Sequence, residues 1–185
     1  MLIKDIVIAA LSLAGRRDAA EALSSGEYEG EKELEHAISA MLHCVNATED
    51  ELARAFFPLE REEEFKATGG RIYYTVFAKT PVKILSVTRG GRPVKHEIWP
   101  EYLAAEGTVR VRYAYCPTKK SLSDQSDYDG YPVGERMIAY GAASEYCLIE
   151  GAYEQAENWE QRYRQEVERL RPRGRVRPIS ARAWI

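Results

Sequence analysis

The eight residues Thr108–Tyr115 alternate without a break, with Val109, Val111, Tyr113 and Tyr115 on one side and Arg110 and Arg112 on the other. A period of two marks a strand with one dry face and one wet face, and such a strand needs both a sheet to pair with and a layer to cover it. Other stretches around it read the same way. Glu64–Ala67 and Arg71–Phe77 flank a Thr68-Gly69-Gly70 turn, and Pro81–Thr88 and Val94–Trp99 flank the turn Arg89-Gly90-Gly91-Arg92. β-branched and aromatic residues are enriched there, and a Gly-Gly pair between two such runs is a hairpin signal because both positions tolerate positive φ. The pattern predicts four or five antiparallel strands over 60–116.

On either side of this region the period changes to that of a helix. Leu2, Ile6, Ala9/Ala10 and Leu13 space out a short amphipathic helix that Gly15 ends, and Ala19–Leu23 is a second helical stretch. Leu34, Ile38, Met41/Leu42 and Val45 define a helix over 31–45. Thr48-Glu49-Asp50-Glu51 has the form of a capping box, which predicts a fresh helix from Thr48 that stops before Pro58. After the polar loop "CPTKKSLSDQSDYDGYP", two long helices are predicted over 134–150 and 152–170, with Gly151 as the left-handed residue between them. In the second of these, Ala156, Trp159, Tyr163, Val167 and Leu170 make one apolar stripe, so the pair should pack as an antiparallel hairpin. Helices over 2–57, strands over 60–116 and a helical hairpin over 134–170 give an α+β fold, one domain over 1–170. With 185 residues, 45% of them hydrophobic, the chain can bury a core without disulfide or metal staples.

Charge is distributed unevenly. The net charge is -3, yet the last seventeen residues, "RLRPRGRVRPISARAWI", hold six Arg and no acid, which leaves -9 on the other 168. Pro172, Gly174 and Pro178 forbid a helix from Arg171 onward. In an extended chain Arg171, Arg173, Arg175 and Arg177 put their guanidinium groups on one side. Arg182 follows, and Ile179, Trp184 and Ile185 supply apolar groups suited to a pocket on another polypeptide. Residues 171–185 therefore read as an extended basic docking arm. Arg is suited both to phosphate and to bidentate pairing with carboxylates. Because an acidic body repels nucleic acid, docking on protein is the preferred reading, and a nucleic-acid-binding module using the Arg arm is the alternative.

Catalytic and cofactor signatures are missing. The chain has no GxSxG, Walker A, GxGxxG, HExxH or kinase set, so no catalytic residue, metal or cofactor is expected. His36 and His43 lie near one helical face but are too few for a metal site, and His96 reads as a surface position. Asp124, Asp127 and Asp129 beside Gly130 have the look of a calcium loop, but the closing bidentate Glu is missing, so a solvated turn is expected. Glu60-Arg61-Glu62-Glu63-Glu64 reads as a wet acidic face, or in a ring as the lining of a subunit contact or a channel. Cys44, Cys116 and Cys147 form no CxxC pair and are expected to be reduced, buried thiols. The apolar stretch Ile6–Ala14 lacks a basic leader and ends at Gly15-Arg16-Arg17, so neither secretion by that route nor a membrane partner is expected. Asn46-Ala47-Thr48 matches a glycosylation acceptor but reads as a helix end followed by a cap. Twelve Tyr crowd the sheet and its loops, a usage shared by strand packing and by protein interfaces.

The segment "MIAYGAASEYCLIEGAYEQAENWEQRYRQEVERL" resembles the C-terminal helical hairpin of tailed-bacteriophage head–tail connector proteins, the adaptors that form the ring below the portal. The resemblance rests on an Ala-rich helix ending near Gly151 and on the stripe Ala156, Trp159 and Tyr163 in the next helix. It covers the hairpin closely and the helix–sheet–helix layout loosely. The resemblance implies a virion structural protein of the head–tail neck, made in the host cytoplasm. Its partners would be the portal protein, copies of itself in a ring (commonly a dodecamer) and a tail-side connector or tail protein. DNA would pass through the channel without specific binding. Arg171–Ile185 would be the portal-docking arm. Arg89, Gly90, Gly91 and Arg92, together with Asp124, Asp127 and Asp129, would make ring or tail contacts. The sheet with its Gly90-Gly91 hairpin departs from the pattern by its size.

Overall fold

A computed structural model describes residues 1–170. Three helices come first, α1 (Ile3–Leu13), α2 (Arg17–Ser25) and α3 (Lys32–Glu51). α1 buries Ile3, Ile6, Val7, Ala10 and Leu11 completely, while Leu2 is largely exposed and Leu13 only half-buried. The buried stripe is thus displaced from the expected one. Seven of the eight positions from Ile6 to Leu13 are apolar, so spacing alone does not phase the face there. Gly15, at φ 83°, ends it as expected.

α3 corrects the expected break at Thr48. The helix runs uninterrupted to Glu51 and passes into a π turn, Leu52–Phe56, before Pro58. A capping Thr would need extended backbone, whereas Thr48 stays helical and its hydroxyl donates back to the Cys44 carbonyl at 2.9 Å. Glu51 does not reach back either, since its carboxylate accepts from the Tyr163 hydroxyl at 3.2 Å. Asn46 accordingly lies inside the helix. Its amide donates to the carbonyls of Leu42 and Lys120, and its Oδ1 accepts from the Lys120 amide at 2.7 Å.

The strands number seven among the described residues and form two sheets: β1 (Leu59–Lys66), β2 (Arg71–Tyr73), β3 (Pro81–Arg89), β4 (Arg92–Pro93), β5 (Glu97–Ile98), β6 (Tyr102–Ala104) and β7 (Thr108–Tyr115). The first sheet has the order β1-β7-β3-β4 and the second β2-β6-β5. β1 pairs antiparallel along its whole length with β7, from Leu59 opposite Tyr115 to Lys66 opposite Thr108. The Thr68-Gly69-Gly70 turn, with both glycines at positive φ, therefore passes the chain from one sheet to the other. Strands shorter than four residues carry too little alternation to be read, and the second sheet consists of three such strands. β7 keeps the expected faces: Val109, Val111 and Tyr113 are buried with Phe77, Val87 and Leu103, and Arg110 and Arg112 are exposed. The Gly90-Gly91 turn forms as expected, at φ 56° and 78°, but the expected return strand Val94–Trp99 does not: across the turn β3 pairs only with β4, and Glu97–Ile98 joins the second sheet.

α4 (Glu135–Ile149) and α5 (Tyr153–Leu170) complete the α+β fold as the expected hairpin. Gly151 at φ 75° lets the chain reverse, Ala152 N donates to the Cys147 carbonyl at 2.8 Å, and Ser144 Oγ donates to the Ala156 carbonyl at 2.9 Å. Ala156, Tyr163 and Val167 of the expected stripe are buried, while Trp159 is half-buried and stacks on Tyr140 at 5.5 Å. One core gathers all five helices with Leu59 and Tyr128, and a second lies between the sheets.

Candidate interaction surfaces

The loop 116–133 is no free turn. Ile3 N donates to the Asp124 carbonyl at 3.0 Å and Ser126 N to the Met1 carbonyl at 3.1 Å, strapping the loop to the start of α1. Its carboxylates are engaged within the chain. Asp124 accepts from the amide and hydroxyl of Ser121, at 2.6 and 2.8 Å, and the backbone bond holds its carboxyl below the usual range. Asp127 pairs with Lys120 at 3.0 Å, and Asp129 with the Met1 ammonium at 3.2 Å. Ser126 and Tyr128 are buried, and the Tyr128 hydroxyl donates to the Phe57 carbonyl. Asp124, Asp129 and Gly130 stay exposed, as expected of a solvated turn, while Ser126 and Tyr128 turn inward and close one end of the helical core.

Under this loop lies Glu49, 1% exposed. Ser126 Oγ donates to its Oε1, and Oε2 has no hydrogen-bond partner among the described residues. Burial pushes the Glu49 carboxyl up and nearby Asp127 adds to the rise, while the bond from Ser126 and the charge of Lys120 oppose it.

His36 and His43 are exposed, and His96 is half-buried with Nδ1 3.0 Å from the Val94 carbonyl. Among the described residues no group of three or more His, Cys, Asp or Glu is placed to hold a metal ion. No helix among them is long and apolar enough to cross a membrane. All three Cys are free. Cys44 and Cys147 are buried, Cys116 is half-buried, and burial pushes the Cys44 thiol up to about 12.

The hairpin tip Arg89–Arg92 is exposed except that the Arg89 guanidinium donates to the Glu106 carbonyl. It borders a cleft of about 540 Å³ that runs along the second sheet past Val94, His96 and Ala105. On the outer face of β1 and β7, carboxylates and guanidinium groups alternate: Glu60 with Arg112, and Arg110 shared between Glu62 at 3.3 Å and Glu64 at 3.8 Å.

Two apolar patches lie open. On the outer face of the second sheet, Tyr73 and Trp99 are 45% and 48% exposed on either side of Tyr102, whereas Ile98, opposite the buried Leu103, lies on the other face. Trp99 stacks on Tyr102 at 6.0 Å, and Arg71 lies 4.9 Å over the same Tyr102 ring. At the turn of the helical hairpin, Leu148, Ile149 and Tyr153 are 51%, 67% and 70% exposed. The pattern of the sequence did not single out either group. The tyrosine enrichment was a pointer to the first, and the pair Leu148-Ile149, off the buried stripe and just ahead of Gly151, would have pointed to the second.

The docking-arm residues Arg171, Arg173, Arg175, Arg177, Ile179, Arg182, Trp184 and Ile185 lie outside the described residues. No protein-family model and no curated protein matches the chain.

Proposed function

We propose that the chain is a structural adaptor of the head–tail connector kind, a subunit that joins others into a ring between a portal and a tail around the DNA channel. The observation that carries the reading is the pair of separate exposed apolar patches, one at Leu148, Ile149 and Tyr153 and one at Tyr73 and Trp99 around Tyr102. Open apolar groups enriched in Trp, Tyr and a stacked Arg are typical of surfaces that bind protein. Two different patches on one subunit suit a heterologous, head-to-tail contact, the kind that closes into a ring when the rotation allows. The hairpin with its Gly151 turn and its Ala156, Trp159 and Tyr163 stripe supports the same resemblance.

In this mechanism the work is mechanical. The helical body packs laterally, the Arg89–Arg92 tip reaches a neighbour or the next ring, and the Asp124–Asp129 loop, held by its internal bonds, offers a rigid surface. The arm 171–185 engages the portal. The acidic body lets DNA pass without adhering. The test is capture of the chain by purified portal. Capture that is lost on deleting 171–185 supports the adaptor; capture that survives the deletion, or salt-sensitive DNA binding in place of capture, opposes it.

A further inference from the structure

β1 is an edge. Its eight residues pair with β7 along one side, and no described strand lies along the other. In an antiparallel ladder, directly opposite residues alternate between pairs that exchange both backbone hydrogen bonds and pairs that exchange none. Ala67 N donates to the Gly107 carbonyl at 2.9 Å, which continues this register and makes the odd positions of β1 the bonded ones. The N–H and C=O groups of Glu60, Glu62, Glu64 and Lys66 therefore point away from β7. The amide of Glu60 agrees, since it donates to the Tyr131 hydroxyl at 3.4 Å. From Glu62 to Lys66 the edge is open, and the outward positions are also those whose carboxylates line the exposed face.

An open edge is a template for one more strand. A second β1 is a poor occupant, because antiparallel pairing would set Glu opposite Glu, and like charges directly opposite destabilise a sheet. Three of the four outward positions are Glu, each paired only with Arg110 or Arg112 on its β7 side among the described residues, and the last is Lys66. The suitable occupant therefore sets positive charge at every second residue opposite Glu60, Glu62 and Glu64. Residues 171–177, Arg-Pro-Arg-Gly-Arg-Val-Arg, carry it.

We propose that residues 171–177 of a second copy add to β1 as an antiparallel strand, with their Arg row against the Glu60, Glu62 and Glu64 row. Two features of the sequence agree on this pairing. When the Arg backbone groups bond to the outward groups of Glu62 and Glu64, the Arg side chains fall on the same face as those carboxylates. The same parity turns Pro172, Gly174, Val176 and Pro178 away from β1, so the two positions without an N–H are those where none is needed. A parallel strand with its Arg amides turned to β1 would instead put the Arg row on the face of Glu63 and Phe65. The chain's own arm is a poor fit. Arg171 follows directly on Leu170, which packs on the helical core, whereas Phe65 at the far end of β1 belongs to the second core. An antiparallel strand must begin at that far end. The inference goes beyond the connector reading, because it needs only a second copy and leaves Ile179, Trp184 and Ile185 for a portal.

The test is fluorescence anisotropy of a labelled 171–185 peptide titrated with the dilute full-length chain. Binding is expected, weakened at least about tenfold by Glu62→Lys with Glu64→Lys. It is expected to recover on that variant when the peptide carries Glu at 171, 173, 175 and 177. On the unaltered chain, N-methylation of the peptide at Arg173 and Arg175 should abolish binding, and N-methylation at Gly174 and Val176 should leave it within about threefold, as a ladder of this parity requires. Absence of binding, equal effects of the two methylations, or failure of the charge-swapped pair to recover would overturn the proposal. Portal capture by a chain carrying Ile179→Ser, Trp184→Ser and Ile185→Ser, with 171–177 kept, reads the connector function separately, so the two ideas can fail independently.

Discussion

A Cβ placed on Gly141 would stand 2.6 Å from Cγ2 of Thr48, closer than two carbon atoms can approach. The contact fixes how near α4 lies to α3. Thr48 cannot turn aside cheaply, because its hydroxyl is bonded to the Cys44 carbonyl, and the ring of Tyr163 closes the other side at 3.2 Å from the same point. Gly141→Ala gains up to about 1 kcal/mol of helix propensity but forces an overpacked core that costs about 1–3 kcal/mol. A net loss of thermal stability is expected. Thr48→Ser removes the clashing methyl, so the double variant should recover part of the loss, and a double-mutant cycle by thermal or denaturant unfolding measures the coupling. Additive effects would show that the two helices are not held apart by this pair.

Glu49 gives a pH prediction with a definite sign. Its folded-state carboxyl lies above the ordinary value of 4.5, chiefly through burial. The folded state therefore favours the protonated form, and ionisation penalises it progressively as pH rises from about 4.5 through the folded value. Glu49→Gln keeps an acceptor for Ser126 and removes the charge. The variant should be the more stable one at neutral pH, with the advantage shrinking as pH falls toward 4. Unfolding curves of both proteins across that range measure it, and a difference that is flat with pH would show that Glu49 does not titrate as its burial requires.

The thiols should differ in kinetics. Cys44 and Cys147 are buried, and burial pushes both thiols up, so neither should react with a disulfide reagent at pH 8 while the chain stays folded. Cys116 is half-buried and should react alone, slowly, since its thiol is also raised. Denaturant should expose all three. Fast labelling of more than one thiol in the native chain would show that α3 and α4 open more readily than their packing indicates.

Long, strongly patterned elements could be read from the sequence because one physical requirement governs them. β7 needs a dry face and shows it at Val109, Val111 and Tyr113. α5 shows its stripe at Ala156, Tyr163 and Val167, and Gly151 and the Gly90-Gly91 pair announce turns by the backbone freedom those turns need. Failures came where a local signal met a tertiary demand. Thr48 carries the side chain of a cap, but α3 continues because the core needs Thr48 and Glu49 buried at that point. The loop with Asp124, Asp127 and Asp129 is polar in sequence, yet it is held by Met1, Lys120 and Ser121, two of them near in sequence and one at the far end of the chain. β1 does not pair across its own turn, since only the longer β7 offers all eight of its residues a partner. The exposed groups of the candidate surfaces were the least legible, because an apolar residue reads the same whether a core or a partner covers it.

The two apolar patches yield the prediction that bears most directly on assembly. A residue exposed in the subunit contributes little to its folding, so Ile149→Asp should leave unfolding free energy within about 0.5 kcal/mol of the parent and Tyr73→Asp, which also loses its cross-strand contact with Tyr102, within about 1 kcal/mol. Burying that charge in an interface is a different matter, since an unpaired carboxylate in an apolar contact is strongly unfavourable. If the patch at Leu148, Ile149 and Tyr153 meets the patch at Tyr73 and Trp99 of the next subunit, each variant alone should block self-association once Glu62→Lys and Glu64→Lys are also present to remove the arm contact. A mixture of the two should stop at a dimer, because each subunit keeps one intact patch and only one intact junction can form. Analytical ultracentrifugation, in the presence of portal if assembly needs it, distinguishes this from a two-fold contact. In a two-fold contact of one patch with its own copy, one variant would associate normally and the other would not associate at all.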